Sequence, residues 1–211
     1  MGQTIAVTGS HGFIGRNLVR GLLEQGHQVI KIARHMPPVE CDRVYHLACP
    51  STTVDIKGNP TGIMDIIFDG TRKAMQICPT AKFINASSKG VFDLDNTPQG
   101  CYNIAKRAME TYLEFSDIDY VNYRIPSVYG IDMHSDMFIK RCVDGNATEP
   151  TEPNKIHYIA HIDEVVAALI ELRPIEIEEI TLGEIYEHFT TGRRGLHWAK
   201  TDPSTPTDKT K

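Results

Sequence analysis

The sequence predicts an α/β protein built on a shortened, doubly wound parallel sheet with a small C-terminal lobe. A short apolar run, Thr4–Thr8, leads through a glycine-rich turn into a segment whose apolar residues have helical spacing, Asn17–Leu23. Apolar runs and helical segments continue to alternate along the chain, which is typical of parallel strands joined by crossover helices. With 211 residues and 41% hydrophobic content, the chain is long enough to bury one core.

The glycine-rich turn contains Gly9, Gly12 and Gly15. Glycines let backbone N–H groups approach a pyrophosphate closely, and the N-terminus of the following helix favours its negative charge. The spacing is Gly-x-x-Gly-x-x-Gly and differs from the common Gly-x-Gly-x-x-Gly fingerprint. Because the turn lies between a strand and a helix, the sequence predicts a nucleotide site here rather than a structural corner.

The later elements are predicted from apolar periodicity and from turn residues. We expect strands at residues 28–33, 44–48, 81–86, 119–125 and 156–162, helices at 63–78, 102–115, 135–143 and 163–172, and loops at 51–60 and 145–154. Asp163 is expected to cap its helix, and a last short helix is expected to open at Ile180-Thr181-Leu182. His157 and His161 lie within a strand pattern, which favours structural roles over a metal site.

The connection between Arg34 and Asp42 is unusually short. It has only seven residues, two of them prolines, and therefore cannot hold a further helix and strand. We expect a smaller sheet and a more open nucleotide pocket than a full doubly wound fold has.

A tyrosine and a lysine, Tyr102 and Lys106, begin the helix predicted at residues 102–115. Positions i and i+4 lie on the same helix face, so both side chains should point the same way. An ammonium group beside a phenol favours the phenolate, and we therefore expect Lys106 to lower the pKa of Tyr102 towards working pH. Such a pair predicts a general acid/base that moves a hydroxyl or carbonyl proton.

Together these motifs resemble the extended short-chain dehydrogenase/reductase family, which acts largely on nucleotide sugars. The resemblance implies a Rossmann-type sheet and an NAD(P)-dependent enzyme. Within the family, the segments His46–Pro50 and Cys101–Lys106 are most similar to UDP-glucuronate decarboxylases. The segments that carry the resemblance follow in family order, at residues 8–15, 42–48, 86–92, 102–106, 124–130 and 161–165.

The resemblance implies a catalytic set of Ser88, Tyr102 and Lys106. Tyr102 would abstract a hydroxyl proton while hydride passes to the nicotinamide, and Lys106 would also hold the nicotinamide ribose. Ser88 would fix the reacting oxygen, and it is preferred to Ser87 because it precedes Val91 by three residues. The residues expected to contact the dinucleotide are Gly9, His11, Gly12, Phe13, Ile14, Gly15, Arg34, Leu47, Ala48, Cys49, Ala86, Tyr102, Lys106, Ile125 and Pro126.

Several positions depart from the pattern of particular family branches. Lys89-Gly90 replaces the acidic pair of the sugar-nucleotide dehydratases, and Gly90 stands where the decarboxylases carry glutamate. Asp132 stands where the decarboxylases carry arginine, and Ser127 replaces a substrate-binding asparagine. These differences favour oxidoreduction or epimerisation over dehydration, and they weaken the case for decarboxylation.

The cofactor preference is predicted from the end of the second strand. Ala33 falls where NAD-preferring relatives carry an acid for the ribose 2′-hydroxyl, and Arg34 follows it directly. Arg16, just after the last glycine, adds positive charge nearby. An arginine without an acid favours a 2′-phosphate, so we expect NADP, with NAD as the alternative.

Composition narrows the class of partner and the compartment. The net charge of −5 and the absence of a basic block argue against nucleic acid. Five scattered cysteines without a C-x-x-C pair are typical of reduced thiols in a cytoplasm and do not indicate a metal site. No apolar run reaches the ~18 residues of a membrane span, and no signal peptide is expected before the first strand. The resemblance implies a homodimer that pairs the helices at 63–78 and 102–115.

The expected organisation is a dinucleotide-binding Rossmann domain at residues 1–172, in which residues 131–156 contribute to a substrate lobe. A small C-terminal lobe follows at 173–200, and a disordered tail at 201–211. Arg193, Arg194, His197 and Trp198 could clasp a nucleotide diphosphate or be surface residues. The expected function is an NAD(P)-dependent oxidoreductase or epimerase acting on a nucleotide-linked sugar. The alternatives are a non-catalytic dinucleotide-binding regulatory or scaffold protein and a simple carbonyl reductase.

Overall fold

The computed structural model of the chain describes residues 2–50, 53–95 and 97–191. Its main feature is a five-stranded parallel sheet, with helices on both faces. The strand order is β2-β1-β3-β4-β5. The strands are β1 Thr4–Thr8, β2 Gln28–Ile32, β3 Arg43–His46, β4 Lys82–Ser88 and β5 Tyr120–Ile125.

Seven α-helices are present in the described residues. They are α1 Phe13–Glu24, α2 Thr53–Gly58, α3 Pro60–Ile77, α4 Pro98–Glu114, α5 Phe138–Val143, α6 Ile162–Glu171 and α7 Leu182–Thr191. A short 3₁₀ turn, Lys89–Phe92, follows β4. Within these residues, no helix has the length and apolar character that crossing a membrane requires.

The two faces of the large sheet are covered by different helices. On one face, Leu18 and Leu22 of α1 pack with Leu169 of α6 against strand residues such as Ile5 and Ile84. On the other face, α3 and α4 pack against β1, β3 and β4 through a second cluster that includes Ala74, Ile77, Leu113, Val44 and Phe83. The side chains that alternate along each strand therefore supply two separate cores, as a doubly wound sheet requires.

A second, smaller sheet carries the C-terminal lobe. It consists of β6 Ser127–Tyr129, β7 Ile156–His161 and β8 Glu178–Thr181. The β6–β7 pair is parallel and the β7–β8 pair is antiparallel. Buried residues of this sheet and of α5 and α7 form one apolar cluster, which includes Tyr129, Ile139, Cys142, Ile159, Ile180 and Ile185.

The short connection after β2 has the form that the sequence predicts. The described chain passes from β2 to β3 without a further helix or strand. Met36, Val39 and Cys41 instead pack on the α3 side of the sheet, and the Val39 N–H donates to the Ile77 carbonyl at 2.8 Å. An irregular segment therefore covers the sheet face beside α3.

Three local predictions are wrong. Residues 51–60 were expected to be a loop, but they contain the six-residue helix α2, which is too short to show a helical period. Ile180 and Thr181 belong to β8 and not to the last helix, because pairing with β7 extends this segment. The cap of α6 is His161, whose ring accepts the Asp163 N–H at 3.3 Å, so Asp163 lies in the first turn. The predictions for residues 192–211 lie outside the described residues.

Candidate active site

The predicted site residues lie along the carboxyl edge of the large sheet. The glycine turn follows β1, Arg34 follows β2, and Leu47–Cys49 follows β3. Ala86 and Ser88 lie in the last three residues of β4, while Ile125 ends β5 and Pro126 follows it. Because all five strands are parallel, their carboxyl ends meet at one edge, where ligands of such sheets bind.

The three glycines of the turn have different surroundings. A Cβ at Gly9, which has φ +65°, would lie 2.7 Å from the Ala48 nitrogen, and one at Gly15 would lie 2.1 Å from the Gly9 oxygen. A Cβ at Gly12 would approach only the Gly9 oxygen, at 3.3 Å. Gly9 and Gly15 are thus required for packing within the protein, whereas Gly12 is the least confined of the three.

The N-terminus of α1 suits an anion. Gly12 is its N-cap and provides no side-chain hydrogen bond, and the first turn carries no acidic residue. The first backbone N–H groups of a helix have no intrahelical acceptors, so those of Phe13, Ile14 and Gly15 are available as donors. His11, which lies 3.3 Å from Ser10 Oγ through its Nδ1, is exposed beside them. These features fit a dinucleotide pyrophosphate.

Tyr102 and Lys106 lie on the buried face of α4, one turn apart, as predicted. Their exposed fractions are 9% and 5%. The Lys106 Nζ donates to the Ala86 carbonyl at 2.7 Å and lies 5.8 Å from the centre of the Tyr102 ring. The Cys49 thiol, which donates to the Pro50 carbonyl at 3.2 Å, packs on the apolar cluster that contains Tyr102 and interacts with that side chain.

The expectation that Lys106 lowers the pKa of Tyr102 is wrong. Burial and, after it, the contact with Cys49 raise the pKa of Tyr102 above its usual range. The Lys106 ammonium is bound to the Ala86 carbonyl, and the cost of desolvating a phenolate dominates. In this arrangement Tyr102 is a protonated phenol at neutral pH.

The two serines at the end of β4 face opposite sides of the strand. Ser87 Oγ donates to the Glu110 carboxylate at 2.6 Å. Ser88 Oγ accepts the Gly90 N–H at 3.1 Å and caps the 3₁₀ turn. Ser87 is thus part of a buried ion-pair cluster. The Ser88 hydroxyl proton has no acceptor among the hydrogen bonds of the described residues.

The buried cluster around Glu110 was missed by the sequence reasoning. Glu110 is only 4% exposed and accepts hydrogen bonds from Ser87, from Arg124 at 2.8 and 2.9 Å, and from Arg107 at 3.0 Å. Burial alone would raise the pKa of Glu110, but the bonds from Arg124, Ser87 and Arg107 outweigh it and hold this pKa below its usual value. The available signal was spacing, because Tyr102, Lys106 and Glu110 recur every four residues on one helix face.

Asn103 of α4 leaves no room for a side chain at Gly90. A Cβ at Gly90 would lie 2.7 Å from Asn103 Oδ1. The Asn103 amide is itself fixed, since it donates to the Asp93 carbonyl at 2.9 Å and accepts from Gln99 at 3.4 Å. A glutamate at position 90 would therefore require Asn103 to move.

The structure shows the surroundings of His157, considered for a metal site, and of Arg16, expected near the cofactor. The described residues contain no group of three metal-ligating side chains. The predicted strand histidine His157 instead contacts Ser127 Oγ at 3.0 Å through its Nε2. Arg16, expected near the cofactor, donates to the Asp132 carbonyl at 2.6 Å, which joins α1 to the loop after β6.

A glycine turn and an uncapped helix at the carboxyl edge of a doubly wound parallel sheet are the features of a Rossmann-type fold. The profile of the NAD dependent epimerase/dehydratase family matches residues 5–170. The chain belongs to this family.

Characterised relatives are similar over parts of their length. UDP-glucuronic acid decarboxylase 2 of Arabidopsis thaliana is 28% identical over 176 residues, which covers 61% of this chain and 40% of the relative. UDP-glucuronic acid decarboxylase 1 of Danio rerio is 23% identical over 241 residues, covering 88% of this chain and 58% of the relative. The matched region thus spans about two fifths to three fifths of these enzymes.

Solved structures share the fold at low identity. An NAD-dependent NDP-hexosamine 5,6-dehydratase of tunicamycin biosynthesis superposes with a TM-score of 0.74 and 19% identity, over 90% of this chain and 81% of the other. The Thermus thermophilus UDP-glucose 4-epimerase in complex with NAD gives 0.71 and 17%, over 90% and 84%. The Bacillus cereus UDP-glucuronic acid 4-epimerase, in complex with UDP-glucuronic acid and NAD, gives 0.71 and 20%, over 91% and 84%.

Proposed function

We propose that the chain binds a nicotinamide dinucleotide along the carboxyl edge of the large sheet and catalyses oxidoreduction or epimerisation of a nucleotide-linked sugar. The observation that carries the proposal is the placement of Tyr102 and Lys106 on one buried face of α4, with Lys106 bound to the Ala86 carbonyl at 2.7 Å. Ser88 ends the same strand two residues later. Family membership and the nucleotide-sugar enzymes among the structural neighbours support the substrate class.

The roles of the three side chains follow from their protonation states. When bound, a nicotinamide supplies the hydride acceptor or donor. Tyr102, a protonated phenol, gives its proton to the oxygen of a bound carbonyl, and Ser88 donates a hydrogen bond to the same oxygen. This transfer leaves a phenolate, and in the reverse direction the phenolate is the base, so the Lys106 ammonium would stabilise the same anion in both directions. The raised pKa of Tyr102 keeps it in the protonated form that reduction of a carbonyl starts from.

Decarboxylation is the less favoured reaction of this site. The resemblance places a glutamate of the decarboxylases at position 90, and the space that it would need is occupied by Asn103 Oδ1. Asp132, where those enzymes carry an arginine, accepts a hydrogen bond from Arg16 through its carbonyl. Epimerisation and simple reduction require neither the glutamate nor the arginine.

A ligand screen tests the proposal. Thermal unfolding is measured with NAD, NADP, UDP-glucose and UDP-glucuronic acid, and then with each dinucleotide and sugar together. A ligand at 100 times its Kd stabilises the folded state by about 2.7 kcal/mol. We expect a dinucleotide to raise the Tm, and a nucleotide sugar to raise it further. No shift with either dinucleotide at millimolar concentration would contradict the proposal.

The proposed preference for NADP rests on Arg34 and its surroundings. Arg34 and Lys73 line one cleft of about 340 Å³ with Met36, Pro38, Gln76 and Ile77. Within the described residues neither cation forms an ion pair. Two such cations favour a phosphate, whereas the solved neighbours with a named cofactor contain NAD.

Calorimetric titration separates the two cofactors. Arg34→Ala should weaken NADP binding by about 10- to 100-fold, the value of a charge-assisted hydrogen bond, and leave NAD binding unchanged. Arg20→Ala, which removes an exposed arginine of α1, is the control. Tighter binding of NAD than of NADP by the native chain would refute the preference.

We further propose that the chain forms a homodimer through α3 and α4. Ile66 of α3 and Ile104 and Tyr112 of α4 are each about two fifths exposed, although both helices already bury another face in the core. Light scattering should then give twice the 23.6 kDa chain mass. Ile104→Glu should give a monomer, since it puts a charge into the apolar contact. A native monomer at high micromolar concentration would contradict this assembly.

A further inference from the structure

A buried hydrogen-bond network connects Thr71 of α3 with Thr8 of β1 through His46. This histidine is the last residue of β3 and is 4% exposed. Its Nδ1 lies 2.9 Å from Thr8 Oγ1, and its Nε2 lies 3.3 Å from Thr71 Oγ1. The Phe83 ring is stacked obliquely beside it, with 5.6 Å between ring centres. Thr8 and Thr71 are themselves buried, so all three side chains of this network must find their hydrogen-bond partners within the protein.

The hydrogen bonds determine which atom carries each polar proton of this network. Thr71 Oγ1 donates its one proton to the Ile67 carbonyl at 2.8 Å, so towards His46 it can only accept. Thr8 Oγ1 accepts the N–H groups of Leu47 and Ala48, both at 3.1 Å, so its own proton is left for His46. Neutral His46 with its proton on Nε2 satisfies all of these groups. The other tautomer leaves Nε2 facing an oxygen that has no proton to give.

The fixed hydroxyl of Thr8 determines where the segment after β3 lies. Leu47 and Ala48 are held by their N–H groups, and Ala48 lies against Gly9, where a Cβ would come within 2.7 Å of its nitrogen. The next residue, Cys49, packs against the cluster that contains Tyr102 and interacts with the Tyr102 side chain. The hydrogen-bond network that starts at Thr71 therefore leads to the segment that lies against both the glycine turn and Tyr102.

We propose that His46, in its neutral Nε2–H form, is a positioning residue that sets the segment Leu47–Cys49 against the glycine turn and Tyr102. The inference rests on the proposed function for its effect on cofactor binding, but its effect on the segment does not. His46 touches no reacting atom and acts through Thr8 and the backbone. Thr71 is the anchor, because it gives the Nε2 proton its acceptor.

The protonation state is tested by ¹⁵N-resolved NMR of the imidazole ring at pH 7. The His46 signals are assigned by their loss in His46→Gln. The expected result is an unprotonated Nδ1 and a protonated Nε2. A proton on Nδ1, or on both nitrogens, would overturn the assignment and with it the inference.

The positioning role is tested through Thr71. Thr71→Val keeps the shape and removes the acceptor, Thr71→Ser restores the hydroxyl, and Thr111→Val is the control on the exposed side of α4. We expect Thr71→Val to weaken dinucleotide binding about five- to tenfold, the effect of one buried hydrogen bond, while the Ser variant and the control stay within about twofold. A lower Tm with unchanged Kd in Thr71→Val would show a purely structural role.

A second measurement needs no cofactor. Alkylation of each cysteine by iodoacetamide is followed by mass spectrometry, with Cys142, buried in the C-terminal lobe, as the reporter of global unfolding. If the segment is released, Thr71→Val should increase the rate at Cys49 relative to Cys142 by about threefold or more, as expected for local opening. An unchanged ratio would overturn the inference. If the native chain binds no dinucleotide, the proposed function fails, and this ratio alone decides on His46.

Discussion

The amino-terminal half of the candidate site buries neutral polar groups, whereas the carboxyl-terminal half buries charged ones. Between β1, β3 and α3 the buried polar side chains are Thr8, His46 and Thr71. Between β4, α4 and β5 they include Lys106 and Glu110, and Glu110 is paired with two arginines. The two halves meet at the contact between Cys49 and Tyr102.

This difference follows from what surrounds each half. The neutral half is closed, with the imidazole of His46 fully enclosed, so a charge there would lack both water and a counterion. The charged half opens to solvent through Arg107 and Arg124, whose side chains are 46% and 38% exposed. A buried acid can therefore be retained at Glu110, since its partners stay hydrated while they neutralise it. The proposed proton chemistry belongs to the half that already holds charge.

The largest expected effect is on turnover, in the charged half. Tyr102→Phe keeps the ring and removes the proton, so turnover should fall by about 10²–10⁴-fold, the usual contribution of a positioned acid or base. Steady-state kinetics on the substrate found by the screen measure this. Tyr112→Phe, on the exposed side of α4, should behave as wild type. Wild-type turnover in Tyr102→Phe would remove Tyr102 from the mechanism.

The neutral half should weaken first as the pH falls. Burial, and then the nearby Lys106 charge, lower the pKa of His46 to about 3, against 6.5 in an unfolded chain. Below pH 6.5 His46 binds a proton in the unfolded chain but not in the folded chain. The free energy of unfolding is therefore unaffected by His46 above pH 6.5 and decreases as the pH falls towards 3. By pH 4.5 the loss from this one residue should be about 3 kcal/mol.

Urea unfolding at pH 7.0, 5.5 and 4.5 measures this loss. His46→Gln should show a flatter pH dependence between 6.5 and 4.5, while His157, whose pKa burial also lowers, is present in both proteins. Glu110 has a lowered pKa, so its contribution is present above about 4.5 and is lost only below that pH. An equally steep pH dependence in His46→Gln would show that His46 does not carry the effect.

A substitution at Glu110 should cost less than one inside a fully closed ion pair. Glu110→Gln removes the charge but keeps an oxygen for Ser87, and the two half-exposed arginines can turn to water. We expect a loss of about 2 kcal/mol, below the ~3–5 kcal/mol of a buried pair that is broken. Urea unfolding at pH 7 measures it, with exposed Glu114→Gln as control. A loss above about 4 kcal/mol would show that the arginines remain trapped.

The smallest change in stability is expected for Gly12→Ala, which is compared with Gly15→Ala to separate packing from ligand access within the glycine turn. Gly15→Ala places a Cβ 2.1 Å from the Gly9 oxygen and should destabilise the fold by about 1–3 kcal/mol. A Cβ at Gly12 would lie 3.3 Å from the Gly9 oxygen, so Gly12→Ala should cost only about 1 kcal/mol, yet it adds a methyl group where the pyrophosphate is proposed and should weaken dinucleotide binding. Thermal unfolding and calorimetric titration of both variants test this pair. Equal affinity in Gly12→Ala and wild type would place the pyrophosphate elsewhere.

The sequence by itself determined the elements whose signals are local. Alternating apolar runs predicted the five parallel strands, because the inner strands are buried on both faces and helices join all consecutive strands except β2 and β3. The i, i+4 rule placed Tyr102 and Lys106 on one face, since helix geometry needs no tertiary context. Two prolines in seven residues were enough to predict the missing helix and strand after β2.

Only the tertiary structure decided what depends on distant neighbours. β8 forms where the local pattern suggested a helix, because it pairs with β7 some twenty residues earlier in the chain. The direction of the pKa shift of Tyr102 depends on burial and on Cys49, 53 positions away along the chain, which outweigh the lysine one turn along the same helix. The partners of His46 and Glu110 likewise come from other strands and helices. Residue spacing fixes which way a side chain points, but the desolvation and hydrogen bonds that set its chemistry arise only when the elements pack.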